Sequence, residues 1–266
     1  MQTFTGNNTP QTAVIIPACD EEACIGRVLE ELLAALDPAI FVVAVGVNGS
    51  SDRTAEIARE YPVLVAETDR RGYGHGCQAA IDLLSLSSNT VKGYVFFAAD
   101  GASDPRDVAA LVAAQEQGYE LVLGARTMRR GNWRIMAMSH VIANLALAAW
   151  CGLLSGRRFK DLAPLRLITR ELFEKMSLRE MTFGWTIEAQ VGAAYFGAAI
   201  CEIGAAERPR IAGLQKVSGV TWKRTFAIGC RIVAAGWRAR RRFRLESKMV
   251  RRGFSPPLVV QAQRGS

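Results

Sequence analysis

Asp100 and Asp104 end the stretch Tyr94-Val-Phe-Phe-Ala-Ala-Asp-Gly-Ala-Ser-Asp-Pro105, and residues of this type at this spacing can hold a metal. Four apolar residues, Tyr94 to Phe97, read as a buried strand, and Gly101 and Pro105 punctuate the turn behind it. In α/β proteins ligands gather at the carboxyl ends of strands. A carboxylate placed there suits a divalent cation, because magnesium is usually held by one or two carboxylates plus substrate phosphates. The plainer role for Asp100 is to cap the following helix.

A second candidate is Gly72-Tyr-Gly-His-Gly76, since glycines at a strand-to-helix turn can cradle phosphates. A dinucleotide fingerprint would need its third glycine where Cys77 stands, and Glu67 to Arg71 part the glycines from the preceding strand. Arg70 and Arg71 still make sense as phosphate contacts. Other chemistries find little support. The six cysteines are scattered with no C-x-x-C pair, which argues against a zinc site or disulfide framework and fits a reducing cytoplasm. Only His75 and His140 are present, and no G-x-S-x-G elbow occurs, so a multi-histidine metal site and a serine hydrolase are not expected.

The elements that must position these groups alternate. Strands are expected over Ala13–Pro17, Phe41–Val47, Val63–Ala66, the Asp100 strand and Glu120–Gly124. Helices are expected over Glu21–Leu36, Arg53–Glu60, Gly72–Leu86 and Pro105–Gln117, with Asp52 capping the second. This order predicts βαβ units and a mainly parallel sheet flanked by helices. Ile135 to Gly156 carries no formal charge and is flanked by Arg129, Arg130, Arg134, Arg157, Arg158 and Lys160. It is long enough to span a bilayer. However, Ser139, His140, Asn144 and Ser155 interrupt it, and His140, Asn144, Cys151 and Ser155 share one stripe, so a buried or interfacial helix is expected. Met1 to Gln11 is polar and lacks the apolar region of a secretion signal.

The net charge of +8 is unevenly placed, because Lys223 to Arg252 holds eleven Lys or Arg against Glu246 alone. Arg224, Arg231 and Arg238 recur every seven residues, joined by Arg242, with Phe226, Ile232, Val233 and Trp237 at other positions. A basic amphipathic helix with aromatic anchors suits an anionic membrane surface. No nucleic-acid-binding motif accompanies the run, so nucleic acid is not an expected partner. The expected division is a catalytic domain over 1–222, a basic amphipathic extension over 223–252 and a loose tail over 253–266. Nothing in the sequence sets an oligomeric state.

Seven motifs occur in order: Pro17-Ala-Cys-Asp-Glu-Glu22, Asn48-Gly-Ser-Ser-Asp52, Arg70-Arg-Gly-Tyr-Gly74, Ala99-Asp-Gly101, Asp161-Leu-Ala-Pro-Leu-Arg166, Gly184-Trp-Thr-Ile-Glu188 and Lys216-Val-Ser-Gly219. Together they make the chain resemble a family 2 glycosyltransferase of the GT-A (Rossmann-like) fold, in the dolichol-phosphate mannose synthase-like branch. The resemblance implies an inverting transferase that uses a nucleotide-diphosphate sugar donor with Mg2+ or Mn2+. It also implies a polyprenyl phosphate or membrane lipid acceptor and a site on the cytoplasmic face of the membrane.

By the same resemblance, Pro17, Ala18, Asp20, Glu21, Asn48, Arg71 and Gly72 lie around the nucleotide, and Asp100 holds the metal. Arg210 and Lys216 close over the diphosphate. Arg126 and Trp185 are implied at the acceptor, and Asp161, with Glu188 beside it, is the candidate base. Plain alternatives are an ion-pair partner of Arg166 or Lys160 for Asp161, and helix-start packing for Trp185 and Glu188. Transfer needs cations to stabilise the departing diphosphate and a base for the attacking oxygen. A phosphate acceptor is already ionised and needs positioning more than deprotonation, in which case Asp161 would orient groups. Two departures stand out: Ala98 occupies the first position of the family's D-x-D, and Val47 stands where an aspartate usually precedes the Asn-Gly-Ser turn. The rival function is a nucleotide-sugar-binding interaction protein without turnover.

Overall fold

The computed structural model describes residues 12–86, 91–212 and 222–251, with side chains described for 227–247 of the last stretch. The strands are β1 (Thr12–Ala18), β2 (Phe41–Asn48), β3 (Leu64–Thr68), β4 (Gly93–Phe96), β5 (Leu121–Ala125), β6 (Arg166–Thr169) and β7 (Ile200–Gly204). They form one seven-stranded sheet in the order β3-β2-β1-β4-β6-β5-β7. All pairs are parallel except those of β6, which runs antiparallel to both β4 and β5. The expected mainly parallel sheet is present. Its central strands read as unbroken apolar runs because helices cover both faces.

On one face lie α1 (Ile25–Ala35), α2 (Thr54–Arg59) and α4 (Asp107–Glu116). Ile25, Val28, Leu29 and Leu32 of α1, at helical spacing, bury one apolar stripe against Val14, Ile16, Val43 and Val45. On the other face lie α3 (Tyr73–Leu86), α5 (Met138–Ser155), α6 (Arg170–Met176), α7 (Trp185–Tyr195) and α8 (Trp222–Arg251). They pack over Ala13, Ile15, Ala44 and Phe96. Helix α4 starts at Asp107, and it is Asp104 that accepts the Arg106 N–H, so Asp100 is not its cap.

Helix α5 turns Val141, Asn144, Ala148, Cys151 and Leu154 inward, as the interrupted stripe implied. Met138, Ile142, Leu145 and Leu153 stay exposed, Leu153 at 70%. Among the described residues, it is the one helix long and apolar enough to cross a membrane by length and composition.

Helix α8 buries Ala235, Ala239 and Phe243 in the same core, so the basic segment is packed onto the sheet domain. One residue of its arginine stripe departs from the sequence expectation: Arg242, 14% exposed, pairs with buried Glu188 at 2.9 Å and faces the protein, whereas Arg238 pairs with Glu180 at 2.6 Å yet stays 60% exposed. Arg231 is exposed, while the side chains of Arg224 and Phe226, and residues 253–266, lie outside the described residues.

Candidate active site

β1 lies between β2 and β4, and the chain reverses its direction of travel across the sheet there, which opens a crevice at the strands' carboxyl ends. Pro17 and Ala18 end β1 beside Gly46 and Val47 of β2. Asp20 follows in a left-handed conformation, φ 52°, which aspartate tolerates better than most residues. Its Oδ1 accepts the Ser51 N–H at 2.7 Å and the Ser51 hydroxyl at 3.1 Å, and its own N–H donates to Ser50 Oγ. Arg71 reaches across from the β3 exit, donating to Asp20 Oδ2 at 3.1 Å and to the Gly49 carbonyl at 3.0 Å. Three strand exits are thereby tied into one rim. Buried Asn48 ends β2 beneath it.

Asp100 stands at the exit of β4, followed by Gly101 at φ 77°. Arg210 reaches in from the segment after β7 and bridges two carboxylates, Glu21 Oε2 at 2.5 Å and Asp100 Oδ2 at 3.4 Å. The neighbouring Ile211 N–H donates to the Asp100 carbonyl, and Gly101 has no room for a side chain, since an added Cβ would meet Ile211 at 2.3 Å. Two carboxylates converging on one cation form a hard oxygen donor set. That chemistry fits Mg2+ or Mn2+ when a diphosphate completes the shell. Val47 packs in the apolar layer, so an aspartate there would carry its charge into the core.

The second cluster lies beyond β4. Asp161 is fully buried and accepts four bonds, from Arg126 N at 2.7 Å, Arg126 Nε at 3.1 Å, Arg126 Nη2 at 3.0 Å and Asn144 Nδ2 at 2.6 Å. Its partner is therefore Arg126, neither Arg166 nor Lys160. Burial opposes the Arg126 charge, but Asp161 outweighs it and lifts the guanidinium above its ordinary value. Glu207 flanks the other end of Arg126, its Oε1 3.6 Å from Nη1. Its backbone N–H donates to Asn132 Oδ1, and Asn132 also donates to the Arg126 and Ala205 carbonyls. Burial, reinforced by Asp100 and Asp161 and opposed by Arg126, pushes the Glu207 carboxyl up to about 7.

The remaining expected site residues take part in packing. Gly72 has φ 150°, and a Cβ there would meet the Met181 carbonyl at 2.4 Å. Gly74 and Gly76 likewise press against Trp185 and the Gly46 backbone, so the glycine run serves close packing of α3. Trp185 is fully buried against Phe96 and Phe173. Glu188 accepts the Arg179 and Glu180 N–H groups and pairs with Arg242. Helix-start packing describes both residues. Lys216 lies outside the described residues. Sequence reading passed over Glu207, whose signal was a carboxylate three residues before Arg210 in Glu207-Arg-Pro-Arg210.

Residues 13–182 match the family described as glycosyl transferase family 2. The chain is 30% identical over 209 residues to an uncharacterized glycosyltransferase of Mycobacterium tuberculosis, covering 77% of this chain and 89% of that one. It is 29% identical over 192 residues to a dolichyl-phosphate hexose transferase of Haloferax volcanii, covering 72% and 80%. It is 26% identical over 223 residues to a polyprenol monophosphomannose synthase of Mycolicibacterium smegmatis, covering 79% and 82%. Among solved structures, glucosyl-3-phosphoglycerate synthase from M. tuberculosis with Mn2+, UDP and phosphoglyceric acid superposes with a TM-score of 0.61. That pair shares 23% identity over 87% of this chain and 78% of the other, a likeness of GT-A fold. With a GT-A sheet, a crevice at its switch point and a family match over most of its length, the chain belongs to glycosyl transferase family 2 and is a glycosyltransferase.

Proposed function

We propose that the enzyme transfers a sugar, with inversion, from a nucleotide-diphosphate donor to an acceptor carried by a membrane lipid, polyprenyl phosphate or another, at the cytoplasmic membrane face. One observation carries the lipid part of this reading. Asn144 on the inner face of α5 binds Asp161, which in turn fixes Arg126, while Ile142, Leu145 and Leu153 of the same helix are exposed and apolar. A helix with arginines at both ends and an open apolar face suits the boundary between lipid head groups and acyl chains. The Haloferax and Mycolicibacterium relatives, a dolichyl-phosphate hexose transferase and a polyprenol monophosphomannose synthase, support the same acceptor class.

In this reading Pro17, Ala18, Asp20, Asn48, Arg71 and Gly72 form the nucleotide side, and the diphosphate extends toward Asp100. Asp100, with Glu21 near it, would hold Mg2+ or Mn2+ together with the diphosphate, and the cation would neutralise charge on the leaving group. Arg210 supplies a second positive charge once it turns from the carboxylates to the diphosphate, and Lys216 is assigned to the same task. Arg126, fixed by Asp161, orients the acceptor. Trp185 and Glu188 hold the helix behind it.

The test is nucleotide release from UDP-, GDP- and dTDP-sugars with Mg2+ or Mn2+, with and without lipid vesicles containing a polyprenyl phosphate, with NMR of the product's anomeric configuration. Release accelerated by the lipid and an inverted product are expected. Donor binding without cleavage under every condition would leave a nucleotide-sugar-binding protein in its place.

A further inference from the structure

We propose that Arg166 is a positioning residue of this transferase: a buried, unmatched positive charge beneath the crevice that holds phosphate-bearing substrates there by its field, without touching them. The inference rests on the glycosyl-transfer reading above and deepens it by naming what draws the anionic substrates in.

Arg166 opens β6 at 0% exposure. It stands opposite Phe96 of β4 and Leu123 of β5, just before those strands run out to Asp100 and Arg126. Its place is therefore the end of the sheet where both clusters gather. The guanidinium carbon lies 5.5 Å from the ring centroids of Tyr73 and of Phe96. Nη2 donates to the Tyr73 hydroxyl at 2.8 Å, while Nε and Nη1 have no hydrogen-bond partner among the described residues. Tyr73 follows Gly72 on the nucleotide side, and β6 follows the Asp161 loop on the acceptor side, so this one contact joins the two halves of the site. Two more buried groups there lack a partner among the described residues, Trp185 Nε1 and Gln190 Oε1. Trp185 packs on Phe96, and Gln190 donates through Nε2 to the Asp161 carbonyl at 3.2 Å.

Every aspartate and glutamate of the chain lies among the described residues, and none of them pairs with Arg166. Burial pushes the Tyr73 phenol and the Cys77 thiol well above their ordinary values, so both stay neutral and neither serves as a counter-ion. A buried charge without a partner is costly, and contact with aromatic faces offsets only part of that cost. The crevice arginines are different. Arg71 is matched by Asp20, Arg126 by Asp161, and Arg210 by Glu21 and Asp100. Those pairs largely cancel toward an incoming anion, whereas the field of Arg166 does not cancel. Low-dielectric surroundings carry that field farther than water would, and salt screens it weakly. The donor diphosphate and the acceptor phosphate are both anions and gain from it; the neutral parts of either substrate gain nothing.

The experiment compares wild type with Arg166→Met, which removes the charge and keeps an unbranched side chain, and with Tyr73→Phe, which removes the hydrogen bond and keeps the charge. Calorimetry with Mn2+ and UDP or GDP, whichever wild type binds, reads the donor side, and KM for farnesyl phosphate reads the acceptor side. In Arg166→Met, both should worsen by about five- to twentyfold, the size of one charge interaction across a protein interior. A loss on one side alone upholds the proposal for that phosphate. The ratio to wild type should persist between about 0.05 and about 0.5 M NaCl. Affinity for the uncharged nucleoside, and kcat, should stay within about twofold, because uniform binding is what has been removed. The urea midpoint of Arg166→Met should match or exceed that of wild type, since apolar replacement of a buried ion is often neutral or stabilising. Tyr73→Phe should keep wild-type affinity for the diphosphate. A Met variant that unfolds or loses stability, unchanged affinities on both sides, equal losses for nucleoside and diphosphate, a loss that salt abolishes, or a loss reproduced by Tyr73→Phe would each overturn the proposal. Wild type that binds neither nucleoside diphosphate nor farnesyl phosphate would instead remove the transfer reading itself, and this inference with it.

Discussion

At the scale of single residues, the crevice is organised by arginines held between carboxylates. Asp100→Ala should abolish metal-dependent binding of a nucleotide diphosphate while leaving the fold intact, because its side chain is partly exposed and its main tie is to Arg210. Calorimetry with UDP or GDP and Mn2+ checks this, and unchanged affinity would remove Asp100 from the donor site. Asp161→Asn should behave differently. Removing one partner of a buried ion pair costs about 3–5 kcal/mol, so this variant should lose stability in urea denaturation as well as turnover. The types and positions of Asp100, Asp161, Arg126 and Arg210 were legible in the chain through their motifs. Their partners were not, since the Arg126–Asp161 and Arg210–Glu21 pairs join residues far apart in sequence. Glu207 escaped notice for a related reason: a lone carboxylate after a weak strand looks like surface until the fold folds it inward.

Elements show where packing decided what pattern could not. Gly46 of β2 and Gly76 of α3 touch backbone to backbone, and a Cβ on Gly46 would fall 1.9 Å from the Gly76 carbonyl oxygen. Gly46→Ala should therefore destabilise the protein by about 1–3 kcal/mol or more, as overpacking does, whereas Gly131→Ala, with open space around it, should be nearly neutral. Chemical denaturation of the two variants tests the contrast. The glycines near Gly76 looked like a phosphate cradle in sequence, because glycine's lack of a side chain serves both uses equally. Strands β1, β2, β4 and β5 were readable from their apolar runs, but β6 is only four residues long and carries buried Arg166, and β7 includes Glu202. Helix α8 teaches the same lesson through charge: Arg242 reads as part of a solvent-facing stripe until buried Glu188 is found beneath it, while Arg238 keeps most of its exposure. Arg242→Gln should consequently weaken the fold, by stranding buried Glu188, rather than release the protein from anionic vesicles. Vesicle association should instead fall when Ile142, Leu145 and Leu153 are replaced by serine, measured by co-sedimentation.

Across the whole molecule, buried carboxyls shape the response to pH. Burial is the largest cause raising Glu188, Glu202 and Glu207 above their ordinary values, Glu207 from 4.5 to about 7. Each then binds a proton more tightly folded than unfolded. In that window the folded state holds more protons, and stability falls as pH rises. The urea midpoint should accordingly decline from about pH 5 to pH 7, and Glu207→Gln should flatten the slope. A midpoint rising over that range would contradict the burial of these groups. Arg210 carries one more implication. Together with Ile211 it lies across Asp100 and Gly101, and it sits three residues downstream of Glu207. A diphosphate entering the nucleotide side would displace that strip, and with it shift the segment that carries Glu207. The two substrates should then load in compulsory order, sugar nucleotide first and acceptor second, with the spent nucleotide leaving last. Initial-rate plots would intersect, and the released nucleotide would inhibit competitively against the sugar nucleotide but not against the acceptor.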